Sequence, residues 1–167
     1  MGMSGGGNTC TAVDVDRSPG AAYEVLPYAV KEYLEGVNVE EAQTYLIKAV
    51  ESLASAQADY AGARYNSCAN RAYYACFQAA VAALLAAGIR PASPRGEWSH
   101  EFVQSQFNGL LINRRKLYPL TLRRVLRDTI EVREKADYTP ASVSTRVATR
   151  ILQQAQDFVR AIQETVP

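Results

Sequence analysis

The chain has 167 residues, a length for one domain with a real hydrophobic core. Nearly half of the residues are apolar and the formal net charge is +1, so the chain as a whole is neither a disordered polyelectrolyte nor a general polyanion binder. Its three cysteines, Cys10, Cys68 and Cys76, form no CxxC pair and no metal-ligand spacing, so no metal site or cofactor is expected. Cys68 and Cys76 lie eight apart on one expected helix, about 12 Å along its axis and too far for a disulfide. That usage fits a reducing cytoplasm, and no leader peptide is read at the start.

In chain order, residues 1–20 are rich in Gly, Ser and Asp and read as a disordered tail. Residues 21–38 form an N-terminal extension, with a short helix expected over 21–35. The main domain is expected over 39–167. A first long helix is predicted over about 39–60. Its apolar positions Ala42, Tyr45, Leu46, Ala49, Leu53, Ala56 and Tyr60 recur every three or four residues. A second is predicted over 63–87, stopped by Gly88 with Pro91 and Pro94 beyond. Residues 72–89 reach the minimum length of a membrane span. Their alanine content, Gln78 and the adjacent Asn70 and Arg71 make them a buried bundle helix instead, with no membrane partner.

Residues 88–98 read as a loop, and Ser99 as the N-cap of a short helix through about 108. A basic connection, NRRKLYP, leads to a helix over about 119–137 that must end before Pro140. The last helix is predicted over 141–164, with a stripe of Val147, Ile151, Ala155, Phe158, Ile162 and Val166. No stretch alternates with period two for long enough to make a strand. The expected fold is all-α: an antiparallel up-and-down four-helix bundle with one or two short extra helices.

Charge is unevenly spread. Residues 14–41 hold seven acids against Arg17 and Lys31, and residues 90–127 hold eight bases against Glu97 and Glu101. The clusters Arg114/Arg115/Lys116 and Arg123/Arg124/Arg127 read either as solvated helix faces or as tracks for RNA phosphates. No Gly-rich phosphate loop or carboxylate pair is present, which argues against a kinase, a phosphatase or an autonomous nucleotidyltransferase.

Several segments occur in a familiar order. An Ala-rich helix, YLIKAVESLASAQ, precedes NRAYYACFQAA (70–80). SHEFVQSQF follows, then REKADY (133–138) and AQDFVRAI (155–162). Over about 40–164 the chain resembles the HEPN superfamily (higher eukaryotes and prokaryotes nucleotide-binding), in its branch of small bacterial and archaeal proteins. The resemblance implies a four-helix bundle, commonly a homodimer. Many superfamily members are metal-independent ribonucleases, often toxins of toxin–antitoxin pairs. Others are inactive and bind nucleotide or RNA, and some are encoded beside a small nucleotidyltransferase that acts as antitoxin.

The superfamily's ribonuclease signature is an Arg followed after four to six residues by a His, near the end of the third long helix. Here that place is REKADY, where Arg133 is followed by Tyr138. Histidine titrates near neutrality and suits proton transfer; a tyrosine, ordinarily near 10, is a poor base at pH 7. The lone histidine, His100, stands instead in RGEWSH, five residues after Arg95. The spacing matches the signature but the position does not. In the first helical turn, His100 would sit where phosphate is attracted, or it would simply anchor the loop by packing.

The expected binding residues are Asn70, Arg71, Arg133, Asp137, Tyr138, Arg114, Arg115 and Lys116. Arg133 and Asp137 alternatively form a structural ion pair. Tyr73 and Tyr74 are expected to pack rather than stack on bases. Three functional readings follow. The first is a toxin–antitoxin or defence-type HEPN module that binds RNA, nucleotide or a cognate nucleotidyltransferase. The second is an active ribonuclease toxin using His100 with Arg95, Arg71 or Arg133. The third is a purely structural dimerisation bundle.

Overall fold

Small residues set how this fold packs. Ala42, Ala49 and Ala56, spaced by seven, are fully buried along one seam of the first helix. Ala69, Ala72, Ala75, Cys76, Ala79, Ala80 and Ala83 are buried on the second. Side chains this short let two backbones approach closely, and a seven-residue repeat keeps the seam facing its partner.

A computed structural model describes residues 39–92 and 96–167. Within them the chain forms α1 (Val39–Ala61), α2 (Tyr65–Ala86), α3 (His100–Gln106), a π-helical continuation (Phe107–Arg114), a 3₁₀ turn (Leu120–Arg124), α4 (Val125–Tyr138) and α5 (Thr145–Gln163). No strand occurs among the described residues, and the class is all-α as the periodicity predicts. The expected tail and the short helix over 21–35 lie outside the described residues.

Helix α2 is the central element and packs against α1, α3, α4 and α5. Its thirteen buried residues explain why residues 72–89 looked apolar enough for a membrane. No helix among the described residues is long and apolar enough to cross one. Phe107, Leu111, Ile112, Tyr118, Ile151, Phe158 and Ile162 fill the rest of the core. Phe107 stacks on Tyr118 and meets Phe158, with centroids 5.2 and 5.1 Å apart.

The two ends of the α1–α2 hairpin are closed in the same way with different residues. After α2, Ile89 N donates to Leu84 O and Gly88 N to Leu85 O, with Gly88 at φ +74°. This is the double-bonded cap that favours glycine. After α1, Arg64 N donates to Asp59 O and Ala63 N to Tyr60 O, so Ala63 occupies the left-handed position at φ +55°. A non-glycine residue there is strained.

Boundaries differ from the sequence reading in three places. The short helix does not stop near 108. It continues to Arg114 with π geometry, seen in the Arg115 N to Leu110 O bond of 2.8 Å. The helix expected from 119 starts as a 3₁₀ turn over Leu120–Arg124, behind Pro119. The last helix begins at Thr145 rather than 141, because Ser144 caps it by accepting from Val147 N.

Candidate functional site

Asn70, Tyr73, Tyr74 and Phe77 fall at i, i+3, i+4 and i+7 on α2, so they share one face. That face meets the C-terminal turns of α4 on one side and the start of α3 on the other. Arg133 Nε lies 2.8 Å from Asp137 Oδ2, one turn on. The buried Nε–H is not aligned with the carboxylate, so the attraction is Coulombic rather than a formed hydrogen bond. Asn70 Nδ2 donates to the same oxygen at 3.1 Å and ties α2 to α4.

The Arg133 guanidinium carbon sits over two rings, 5.9 Å from the Tyr74 centroid and 5.6 Å from that of Tyr138. Burial pulls the Arg133 pKa down, but Tyr74, Asp137 and Tyr138 outweigh it and hold the pKa above the usual arginine value. The guanidinium is therefore a fixed positive charge with only 17% of its side chain exposed. Tyr138 is the opposite: its ring leans on that cation yet is 74% exposed.

His100 joins this face through aromatic contacts. Its Nδ1 is hydrogen-bonded to Tyr73 Oη, and its ring packs on Tyr73 and Phe77 at 5.4 and 5.1 Å. Burial pushes the Tyr73 phenol well above its ordinary range, so it stays protonated. Among the described residues, His100 Nδ1 is the only hydrogen-bond partner of that phenol. The bond orients the imidazole against α2, and which atom donates follows from the imidazole tautomer. Ser99 caps α3 as the sequence predicts, accepting from Phe102 N at 3.2 Å.

The structure brings together Asn70, Arg133, Asp137 and Tyr138, with Tyr74 between them and the Tyr73–His100 pair. His100 contacts Tyr73, and the Arg133 guanidinium covers Tyr74, which packs on Tyr73; the Arg133 charge acts on the Tyr73 phenol as well. The other sequence candidates lie elsewhere. Arg71 is exposed, and its charge bears on Asp59 of α1. Arg115 Nη1 donates to Ala87 O at the far end of α2. Ala87 is seventeen residues beyond Asn70, about 25 Å along the helix, so Arg114, Arg115 and Lys116 cannot share a small ligand with Arg133. Arg95 lies outside the described residues. No cluster of three potential metal ligands occurs among the described residues.

Sequence reasoning missed the part played by Tyr74, which it assigned to packing alone, although a half-buried tyrosine four residues after Asn70 points the same way. It also missed Gln104 and Asn108. They line an open groove of about 430 Å³ with Arg123, Arg124 and Arg127. Asn108 follows Gln104 by four residues, so the two share the helix face that lines the groove.

No curated protein matches the chain. Residues 42–165, most of its length and all five α-helices except the first residues of α1, match the family model of the HEPN domain. With the all-α bundle centred on α2, that match establishes that the chain belongs to the HEPN family.

Proposed function

We propose that this HEPN domain binds RNA or a nucleotide by stacking a base on Tyr138, and that it does not cleave RNA itself. The observation that carries the reading is the Tyr138 ring, 74% exposed and leaning on the Arg133 cation. Large exposed rings are expensive in water, and every base offers a π face to cover one. Arg133 serves this site as a support: ion-paired with Asp137 and largely buried, it fixes the ring rather than reaching for phosphate. The absence of an imidazole from position 138 supports a silent site, because a protonated phenol is a poor general base at neutral pH. A toxin–antitoxin or defence setting, a homodimer and a nucleotidyltransferase-type partner enter this proposal from the family resemblance alone.

The test is titration of a labelled single-stranded RNA, followed by anisotropy. Tyr138→Ala is expected to weaken binding roughly five- to a hundredfold, the range for removing one stacked base. Unchanged affinity would count against the site.

A second reading, an active ribonuclease, has one observation in its favour. The Tyr73–His100 bond fixes the imidazole orientation, as an acid/base group needs. Against it, no cation pairs with or stacks on His100 among the described residues.

A further inference from the structure

The groove between the π-helical segment and the start of α4 is lined by Gln104, Asn108, Arg123, Arg124 and Arg127. Its charges are incompletely used. Arg123 has no hydrogen-bond or ion-pair partner among the described residues, where Arg124 and Arg127 do. Arg124 and Arg127 lie 4.0 and 3.7 Å from Asp128, and Arg127 lies 3.8 Å from Glu131. These separations exceed hydrogen-bond length, so most guanidinium N–H groups are left for another acceptor. Asn108 Oδ1 is a buried acceptor with no partner among the described residues, and it calls for a donor rather than a phosphate oxygen. No aromatic ring lines it, and a ligand here is held by its phosphates rather than by its base.

Position on α4 links this groove to Tyr138. Arg127 and Tyr138 are eleven residues apart, which puts them within about 20° on one face and about 16 Å apart along the axis. That distance spans roughly three to five nucleotides of a strand. Glu131 and Glu134 lie between them, and Arg127 offsets the charge of Glu131.

We propose that the Arg123/Arg124/Arg127 groove grips the backbone phosphates of a single RNA strand that runs along α4 and stacks a base on Tyr138. This rests on the RNA-binding reading and adds a path to it.

The test is anisotropy with a fluorescein-labelled oligouridylate of about ten nucleotides between 50 and 200 mM KCl, with ATP as competitor. Both arginines replaced in Arg123→Gln/Arg127→Gln are exposed, and an unchanged circular dichroism spectrum checks the fold. With two phosphates no longer neutralised, the slope of log affinity against log salt should shrink by about 1.4. Tyr138→Ala should weaken binding and leave that slope unchanged. Wild-type slope in the double variant overturns the groove while leaving Tyr138 binding intact. Absence of RNA binding by the wild type overturns both. Displacement of the RNA by ATP, with ATP binding itself abolished in the double variant, assigns the groove to free polyphosphates and overturns the backbone path.

Discussion

His100 Nδ1 shares a hydrogen bond with the buried phenol of Tyr73, so the single histidine of the chain is anchored to the central helix by one nitrogen and keeps Nε2 as its remaining polar atom. The bond also places α3 on α2, because the Phe77 ring packs on the same imidazole.

Tyr73→Phe removes this bond and leaves Nδ1 without that partner. A net cost of about 1 kcal/mol is expected, or about 3 °C in Tm for a domain of this size. Thermal unfolding by circular dichroism measures it. An unchanged Tm would mean that packing on Phe77 alone positions the imidazole.

Arg133→Lys keeps a charge beside Asp137 but loses the planar group that covers Tyr74 and Tyr138. A lysine at a stacked site is not conservative. The variant should be less stable by about 1 kcal/mol and should bind RNA more weakly, with the salt dependence unaltered. Stability from chemical denaturation and the anisotropy titration read the two effects separately.

Ala63 sits at φ +55° in the cap that glycine occupies after α2. Ala63→Gly should therefore raise stability by about 0.5–1 kcal/mol, even after the greater entropy of the unfolded glycine chain is counted. The rise in denaturation midpoint is the readout. A fall would show that Ala63 is held by its contacts rather than strained.

Burial, aided by the Asp59 carboxylate, pushes the Cys68 thiol from 9.0 up to about 11. A thiol raised in the folded state favours folding fully below the unfolded value and loses that contribution as pH climbs through the folded one. Stability should thus decline between about pH 9 and 11, and less steeply in Cys68→Ala. Cys76 is buried as well, and burial drives its thiol far upward. Neither thiol should react with a thiol reagent at pH 8 until the protein unfolds.

The helices were legible in the sequence because alanine and large apolar residues keep helical spacing over α1, α2 and α5, and Gly88 stops α2 where glycine is favoured. The end of α1 was read to within a residue, but its left-handed cap was not, since Ala63 takes a conformation its side chain disfavours. The π-helical segment was equally hidden: FNGLLINR carries no pattern that separates i→i+5 bonding from a loop. Asn70, Arg133, Asp137 and Tyr138 were legible as a group through the resemblance. The packing of His100 on Tyr73 and Phe77 was not, because no local pattern tells where α3 returns to α2. Arg114, Arg115 and Lys116 looked like part of one basic region because sequence proximity does not report the length of α2 between them and Asn70.

The central claim is RNA binding without RNA cleavage. Its most direct measurement is incubation of the wild-type protein with end-labelled RNA in EDTA, with binding and fragment length followed on the same sample. The account predicts a retained, full-length RNA whose binding weakens with salt and with Tyr138→Ala. Divalent-independent fragments that disappear in His100→Ala would contradict it and establish His100 as a catalytic group.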